Sequence, residues 1–552
     1  MSSPVGPKYG LAPILTPLIA IGALLVLSWP LLLHPTQLLA NGVGEGNNHY
    51  WMLWRAFQSG PVSNLPQGVP IPIMDPVNLI WAAPWMWSPS LAFNAVVVAN
   101  MLLAFAGAWA LAWVLELDWR ACIVAGLACM SAPFLWGVVS FGITESLPVG
   151  WLALGVAALI RHGQQGLHRW WVLAGVCIGA FGLSGWYHAA FAVPVLLVVS
   201  PWLAWRYRRP LGLLGAAGIV VAVCLPALLE FLAVREFWSP RWRNPDHAPP
   251  PFYPDWRSMP HRGADLLNFF LPSVERIAVS KSVYLGLVTV SLAALGGKKA
   301  RIWLGVLALM FVFALGFWLK VAGQTAFGGV QLRMPAGWLT DLAPAFEGIT
   351  HWHRAIGPAI PFLALAAAFG TERLMKRWER IWIPLSAALV LESVLLSQTP
   401  WPRDLTAVQT PTVLAELPPG ALAILPFDNS PIDGQTEVPR RYNLWQPGLN
   451  RPITENYEGA DAALSISSLL SAANALCAVP GGAPSRDLYP KELSSPDRAI
   501  ADGGAGLKEL GVQYVSLHRD LCPGFTDAHA LIQQVLGPPI LEQDEIAVWE
   551  VE

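Results

Sequence analysis

The sequence predicts a polytopic α-helical membrane protein with about eleven transmembrane helices and an α/β domain at its C-terminal end. Three observations support this fold class. Hydrophobic residues make up 54% of the 552 residues and charged residues only 13%, whereas a soluble domain carries about 25% charge. Apolar runs long enough to cross a bilayer recur up to residue 397. The connections between these runs alternate in their content of Lys and Arg, as expected for a chain that crosses a membrane repeatedly.

The apolar runs are the candidate spans. They cover residues 11–33, 91–115, 121–140, 146–160, 170–184, 188–205, 211–233, 283–296, 302–319, 356–371 and 381–397. The first run is about 20 residues long and no small-residue cleavage site follows it, so we expect a retained helix rather than a signal peptide. Residues 121–160 and 170–205 are each too long for one span. We expect them to fold back at SFGITES (140–146) and SGWYH (184–188).

The orientation follows from the connections. One alternate set consists of ELDWR, RHGQQGLHR, RYRRP, GGKKAR and TERLMKRWER, and every member carries Lys or Arg. SFGITES and SGWYH, the short members of the other set, carry neither. This is the positive-inside pattern. It predicts a multi-pass protein of the cytoplasmic (inner) membrane with its N-terminus in the cytoplasm and the long loops 34–90, 234–282 and 320–355 outside.

The last part of the chain differs from the rest. We therefore predict a membrane domain over residues 1–399 and an extracytoplasmic α/β domain over residues 400–552. ALAILPF (421–427), VQYVSLH (512–518) and IAVWEV (546–551) have the composition of strands. Cys477 and Cys522 are the cysteines of this domain. An oxidising compartment favours a disulfide between them, and two unpaired buried thiols are the alternative.

The stretch GVGEGNNHYWMLW (42–54) follows the first apolar run and is rich in polar and aromatic groups. Trp51, Trp54 and Phe57 have a helical spacing, which predicts an amphipathic helix lying at the outer surface. The loop before it would hold Glu45 and His49 over a lipid headgroup. A solvated loop that caps a surface helix explains the same spacing.

Further candidate residues lie in the outer loops. Asp75 is a second outer-loop carboxylate, a candidate for binding the acceptor or for acid chemistry, and the alternative is a turn initiator before Pro76. The third outer loop supplies cations that can hold a phosphate, among them Arg333, His351, His353 and Arg354, and ordinary outer-loop charge is the alternative for each of them. In an extended segment, His351 and His353 would face the same way.

Three other carboxylates lie in or next to apolar runs. We expect Glu145, in the SFGITES turn, to cap the next helix. Glu230 and Glu392 lie inside apolar runs, where a charge at the bilayer centre costs ~2.5–3.5 kcal/mol, and such residues tend to be functional. Both are placed towards the outer ends of their helices, where a carboxylate can reach the interface.

The sequence also argues against several classes of function. It contains no P-loop, GxSxG, HExxH or dinucleotide-binding motif. This argues against a nucleotide-sugar donor and against ATP-driven transport by this chain alone. The net charge of −2 gives no basic surface of the kind that binds nucleic acid.

The layout resembles that of GT-C glycosyltransferases, polytopic enzymes that use polyprenyl-phosphate-linked sugars. In that family an acidic outer loop and an aromatic-rich interfacial helix follow the first span, which here corresponds to Glu45 followed by His49, Tyr50 and Trp51. The chain is also similar to a bacterial GT-C-like subgroup of uncharacterised membrane proteins. The matching pieces are PQGVPI (66–71) with the following DPVNLIWAAPW, YLGLVTV (284–290), FEGITHWHRAIGP (346–358) and LKELGVQYVSLHRD (507–520).

The resemblance implies transfer of a sugar from a polyprenyl-phosphate carrier to a glycan, lipid or protein on the outer face of the membrane. Glu45 would be the base, with Asp75 assisting it. The phosphate would be held by His49, Arg333, His351, His353 and Arg354. The family commonly has Asp where this chain has Glu45, which is one methylene longer, and a misplacement of ~1 Å can cost ~100-fold in rate.

Two points stay open in the sequence. A divalent cation at the His351 and His353 pair would need further ligands, for example Glu45 or Asp75. The alternative function is that of a non-enzymatic membrane protein on the same scaffold, such as a lipid-glycan transporter or an assembly partner.

Overall fold

The structure is a computed structural model. It describes residues 12–40, 45–58, 75–238, 263–272, 283–327, 329–342, 346, 349, 351–397, 399–426, 438–453, 467–477, 495–543 and 545–551. The PQGVPI piece (66–71) lies outside the described residues.

The part of the chain up to residue 397 is helical, and a helix lies in each apolar run predicted above. The helices are α1 (Ala12–Leu27), α2 (Glu45–Arg55), α3 (Leu79–Ala82), α4 (Pro89–Val114), α5 (Trp119–Met130), α6 (Pro133–Ser140), α7 (Val149–Gln165), α8 (His168–Gly182), α9 (Trp186–Tyr207), α10 (Pro210–Trp238), α11 (Leu287–Leu295), α12 (Arg301–Ala314), α13 (Pro335–Leu342), α14 (Ile360–Met375) and α15 (Trp382–Leu396). Between α12 and α13, β1 (Ala326–Phe327) and β2 (Val330–Gln331) form a short antiparallel hairpin.

Among the described residues, 5 helical stretches are long and apolar enough to cross a bilayer. They are Pro89–Val114, Trp119–Ser140, Tyr187–Tyr207, Pro210–Glu230 and Trp352–Met375. Pro13–Leu27 and Trp382–Leu396 are shorter apolar helices. The predicted number of about eleven spans and the orientation stay predictions.

Helices end and begin at both predicted fold-back points. α6 ends at Ser140 and α7 begins at Val149, with a 3-10 turn at Thr144–Ser146 between them. α8 ends at Gly182 and α9 begins at Trp186. Small residues let α4 and α7 approach closely. A Cβ on Gly107 of α4 would lie 2.5 Å from the carbonyl oxygen of Gly150 in α7.

The stretches at the centre of the helical part are Trp119–Ser140 and Trp352–Met375, in whose most apolar 18 residues 100% and 94% of the residues are buried. In the corresponding 18 residues of the Pro210–Glu230 stretch of α10 only 11% are buried, and large apolar side chains such as Leu211 and Leu214 are exposed. In a membrane protein that surface faces lipid, because lipid chains are as apolar as Leu.

The C-terminal part is built on a four-stranded sheet in the order β3-β4-β6-β5. The strands are β3 (Ala421–Leu425), β4 (Val512–His518), β5 (Leu541–Gln543) and β6 (Ile546–Glu550). β3 and β4 are parallel, and the other pairs are antiparallel. All three strands predicted from the sequence are confirmed, whereas the domain boundary at residue 400 stays a prediction.

Helices cover the sheet. They are α16 (Thr412–Ala415), α17 (Val438–Leu449), α18 (Ser468–Leu476), α19 (Pro496–Asp502), α20 (Ala505–Glu509) and α21 (Phe525–Leu536). Successive residues of β3 and β6 belong alternately to two hydrophobic clusters, as the strand period of two requires. In the structure, Cys477 after α18 and Cys522 after β4 are joined by a disulfide.

Residues 401–406 attach this C-terminal part to the end of α1. The backbone N–H of Arg403 donates to the carbonyl of Trp29 at 2.8 Å, and its Nε donates to the carbonyl of Leu27 at 2.9 Å. Thr406 exchanges backbone hydrogen bonds with Leu38. The C-terminal part therefore begins beside residues 27–38, where α1 ends and the chain continues towards α2.

The position of α2 differs from the prediction. Trp51, Met52 and Trp54 are buried, so α2 does not lie on the surface as an amphipathic helix. α17 packs on it, and the indole Nε1 of Trp51 donates to Oε1 of Gln446 at 2.5 Å. The sequence alone could not show this, because the covering helix lies almost 400 residues away in the chain.

Candidate active site

The first turn of α2 meets the turn 140–146 backbone to backbone. A Cβ on Gly46 would lie 2.6 Å from the carbonyl oxygen of Phe141, and one on Gly142 would lie 2.6 Å from the Cα of Gly46. Gly142 also has a φ of +68°, which favours glycine. This contact places the polar residues at the start of α2 beside residues 144–146.

Asp75 is the centre of the first polar cluster. It is 1% exposed, and the Thr144 hydroxyl donates a short hydrogen bond to its Oδ2. Nδ2 of Asn78 donates to the same oxygen at 3.0 Å. Oγ1 of Thr144 also lies 3.1 Å from Nδ1 of His49, which is buried. A role as turn initiator does not account for all the contacts of Asp75. Its carboxylate also accepts a hydrogen bond from Thr144, which lies 69 residues away in the chain.

Burial and hydrogen bonding act in opposite directions on Asp75. Burial raises its pKa to about 6, since the charged form loses hydration, and the hydrogen bonds from Thr144 and Asn78 lower it. The group therefore changes charge close to neutral pH. A carboxyl group with such a pKa can take up and release protons at physiological pH.

The second polar cluster is a buried ion pair. Nη1 of Arg354 contacts Oε1 of Glu145, and the two side chains are 5% and 7% exposed. The Arg354 guanidinium also lies 5.7 Å from the centre of the Tyr187 ring. His188 is fully buried close to Glu145, and neither of its ring nitrogens has a hydrogen-bond partner within the described residues. Glu145 follows Thr144 directly, so one turn joins the two clusters.

Glu145 corrects an expectation from the sequence. We expected it to cap the next helix, but the N-cap residue of α7 is Pro148, which makes no side-chain cap bond. The carboxylate instead neutralises an arginine 209 residues further along the chain. A signal was present in the sequence, because the polar SFGITES turn interrupts an otherwise apolar stretch and carries no cation of its own.

The other predicted cations are placed differently. Residues 352–359 form a 3-10 helix rather than an extended segment, and His353 is 1% exposed. The rings of His351 and His353 lie 5.7 Å apart, and His351 lies 6.1 Å from Tyr187. These histidines therefore belong to the cluster around Arg354.

Arg333 is not brought into that cluster by any contact that the structure describes. It forms an ion pair with Asp341 and donates to the carbonyl of Gly337 at 3.2 Å. Its side chain is 40% exposed. Its role as a phosphate contact stays a prediction.

Glu45 is the first residue of α2, not part of a loop before it. Its side chain lies outside the described residues. His49 is four positions further along the chain, so positions 45 and 49 share one face of the helix. The role of Glu45 as base stays a prediction.

A divalent cation also stays a prediction. Among the described side chains, no group of three or more His, Cys, Asp or Glu residues is placed to hold a metal ion. His351 and His353 would need a further ligand.

The two carboxylates in the apolar runs have separate surroundings. Glu392 accepts hydrogen bonds from the backbone N–H of Leu287 at 2.5 Å and of Val288 at 3.1 Å, and from the Tyr284 hydroxyl at 2.8 Å. It therefore caps the N-terminus of α11 from a neighbouring helix, which explains its burial. Glu230 is exposed on α10.

The arrangement of the chain matches solved structures over nearly its whole length. Arabinofuranosyltransferase AftD from Mycobacteria matches with a TM-score of 0.55 and 13% identity, over 97% of this chain and 40% of that one. ArnT from Cupriavidus metallidurans bound to undecaprenyl phosphate matches with a TM-score of 0.50 and 12% identity, over 97% of this chain and 98% of that one. Both have the membrane architecture of GT-C glycosyltransferases.

The chain has the GT-C fold. No protein-family model matches it, and no curated protein sequence does. At identities this low the likeness establishes the fold alone, and the GT-C fold makes the chain a multi-pass membrane protein. Within the GT-C fold the polar clusters at the start of α2 and at residues 144–146 are the candidate active site.

Proposed function

We propose that the chain is a GT-C-type glycosyltransferase that moves a sugar from a polyprenyl-phosphate carrier to a glycan, lipid or protein acceptor on the outer face of the membrane. The observation that carries the proposal is the turn 144–146. It joins a buried carboxylate and imidazole, Asp75 and His49, to the buried pair of Glu145 and Arg354. The likeness to an ArnT structure that contains undecaprenyl phosphate supports a carrier of this kind.

The proposed base is Glu45. An acceptor hydroxyl must lose its proton as it attacks the anomeric carbon, and a carboxylate within hydrogen-bond reach can take that proton. The backbone contact of Gly46 holds the first turn of α2 against residues 141 and 142. This contact fixes the backbone at position 45. Asp75 supports this chemistry from the neighbouring cluster.

The proposed phosphate site is built around Arg354, with His351 and His353 beside it. The phosphate that leaves with the carrier gains charge in the transition state, and a buried guanidinium stabilises such charge more strongly than one in water. Glu145 keeps Arg354 neutralised while no donor is bound, since an unpaired buried charge is costly. An incoming phosphate would replace Glu145 as the partner of Arg354. Arg333 is retained as an outer phosphate contact.

The transporter alternative is not supported by the positions of the carboxylates. A transporter would need the intramembrane carboxylates to line one continuous polar path. Glu392 is instead engaged as a helix cap, and Glu230 is exposed on α10. The C-terminal part on the outer side of the inner membrane is a proposal that rests on the alternation of Lys and Arg in the connections.

The test uses the purified full chain in lipid nanodiscs with a panel of polyprenyl-phosphate sugars and acceptors. Binding of the donor and release of the polyprenyl phosphate are measured for the wild type and for Glu45→Gln. Gln preserves the shape and the hydrogen bonding of Glu but cannot act as a base. Glu230→Gln is the matched control, because it makes the same change on an exposed surface of α10.

The proposal expects the wild type and Glu230→Gln to turn over a donor, and Glu45→Gln to bind that donor without turnover. Binding of donor by all three proteins with no turnover by any of them, over the whole panel, would refute the transferase function. Turnover by Glu45→Gln at the wild-type rate would retain the transferase and remove Glu45 as its base.

A further inference from the structure

The hydrogen bonds around Asp75 form a chain whose direction can be read from one end. Nδ2 of Asn100 donates to the backbone carbonyl of Val96 at 2.9 Å and to Oδ1 of Asn78 at 2.8 Å. A backbone carbonyl can only accept, so this contact fixes which end of the Asn100 amide is the donor. The Asn78 amide is then fixed in turn, and its Nδ2 faces Asp75 and the carbonyl of Thr144.

The same reasoning continues through the carboxylate to the imidazole. An ionised Asp75 can only accept, and it accepts from both Asn78 and the Thr144 hydroxyl. Thr144 has a single hydroxyl proton, which it gives to Asp75. Its Oγ1 must therefore be the acceptor in the 3.1 Å contact with His49, so Nδ1 of His49 carries a proton and Nε2 carries the lone pair.

We propose that Thr144 is a relay residue that links His49 to Asp75, and that this relay carries away the proton taken from the acceptor hydroxyl. The inference rests on the proposed function and deepens it. Asp75 is then a proton store, not a second group that contacts the substrate. Thr144 and Asn78 are positioning residues, because they act through Asp75 and His49.

The proton transfers balance as follows. The proton on the Glu45 carboxyl group passes to Nε2 of His49, and the Nδ1 proton of His49 passes to Oγ1 of Thr144. The hydroxyl proton of Thr144 passes to Oδ2 of Asp75. The net result is an ionised Glu45 and a protonated Asp75, with His49 and Thr144 neutral as before. Positions 45 and 49 share a face of α2, as the first transfer requires.

The surroundings of Asp75 suit the end of such a relay. Burial raises the pKa of Asp75 to about 6, so it accepts a proton more readily than an exposed aspartate does. Glu145 follows Thr144 directly in the chain. Its charge is offset by that of Arg354, with which it forms an ion pair. Among the described side chains, His49 is the other titratable group that contacts the relay.

The first test reads the tautomer of His49 and does not depend on turnover. The full chain is labelled with ¹⁵N-histidine in nanodiscs, and the His49 signals are assigned from their loss in His49→Gln. At pH 8 the wild type is expected to show the proton on Nδ1. The acceptor for that proton is Oγ1 of Thr144, which Thr144→Val removes and Asp75→Asn alters. In both variants the tautomer population of His49 is expected to shift towards the Nε2–H form. The same tautomer in all three proteins would overturn the relay.

The second test is kinetic. Thr144→Val removes the hydroxyl and retains the branched shape, so kcat is expected to fall about 100-fold with KM little changed. Thr144→Ser restores a hydroxyl and is expected to recover most of that loss. Thr371→Val is the matched control, because Thr371 is also fully buried but its hydroxyl bonds only a carbonyl of its own helix, that of Ala367.

A double variant separates a relay from independent contacts. If Thr144 and Asp75 act as one unit, Thr144→Val with Asp75→Asn loses no more kcat than the larger single loss. Losses that multiply, or a Thr144→Val protein whose kcat equals that of Thr371→Val, would overturn the relay. If the wild type has no turnover on any donor but its His49 tautomer responds to Asp75→Asn, the hydrogen-bond order stands and the proposed function fails.

Discussion

Gly46→Ala is the substitution for which the structure gives the most direct magnitude. A Cβ on Gly46 would lie 2.6 Å from the carbonyl oxygen of Phe141, about 0.8 Å short of the 3.4 Å at which ordinary contact begins. The opposing atom is backbone, so no side chain can move out of the way. The first turn of α2 must therefore shift by a large fraction of an ångström relative to residues 141 and 142.

That shift moves Glu45 and His49 relative to Thr144 and Glu145. Because a misplacement of ~1 Å at a reacting centre can cost ~100-fold, we expect kcat to fall about 10- to 100-fold. The matched control is Gly22→Ala, since nothing lies within 4 Å of a Cβ at Gly22 in α1. Its turnover is expected to equal that of the wild type.

The assay compares release of polyprenyl phosphate by equal amounts of folded protein in nanodiscs, with thermal unfolding measured in parallel. A folded Gly46→Ala protein that turns over as fast as Gly22→Ala would refute the reasoning. It would show that the backbone contact between α2 and the 140–146 turn does not position the reacting groups.

Four further predictions concern the buried charges and the C-terminal disulfide. Glu145→Leu removes the carboxylate that pairs with the buried Arg354 and is expected to destabilise the protein by about 3–5 kcal/mol. Combining it with Arg354→Met should restore most of the stability but not turnover; equal thermal stability of the single and double variants would contradict this. Turnover is expected to fall as the pH drops through about 6, because protonated Asp75 no longer accepts the Thr144 hydroxyl, and a pH–rate profile of Asp75→Asn should lack this limb. Because its pKa is raised, Asp75 holds its proton more tightly in the folded state than in the unfolded state. The stability of the fold should therefore decline as the pH rises from about 3.8 to about 6. Asp75→Asn should lack this decline. Cys477→Ser with Cys522→Ser opens a loop of 45 residues and is expected to cost the C-terminal part about 4 kcal/mol, seen as faster limited proteolysis of that part; unchanged proteolysis would argue against the bond.

The helices of the membrane part could be predicted because their signal is local. A run of apolar residues must bury its backbone hydrogen bonds within itself in lipid, so hydropathy alone locates the helices. The break at residues 131 and 132, which divides the predicted 121–140 span into α5 and α6, shows the limit of this reasoning. Pro133 begins α6. Because the residues on both sides of the break are apolar, hydropathy does not reveal it.

The candidate site could be predicted only in part. The first outer loop and Asp75 were identified as places for carboxylate chemistry, and the FEGITHWHR segment as a source of cations. Thr144, Asn78 and Glu145 were missed as site residues, because a hydroxyl, an amide and a turn carboxylate carry no spacing that points to a partner. Only their contacts with Asp75 and Arg354 reveal what they do.

The sequence by itself determined the local structure of this protein: apolar helices for a bilayer, connections with alternating charge, and a sheet-forming C-terminal part. Each of these depends on neighbours in the chain. The tertiary structure decided which polar groups meet, since His49, Asp75, Thr144 and Arg354 come from four separate segments. It also buried α2 beneath α17. Burial and pairing are properties of the packed molecule, and they set the charge, the pKa and the hydrogen-bond direction on which the chemistry depends.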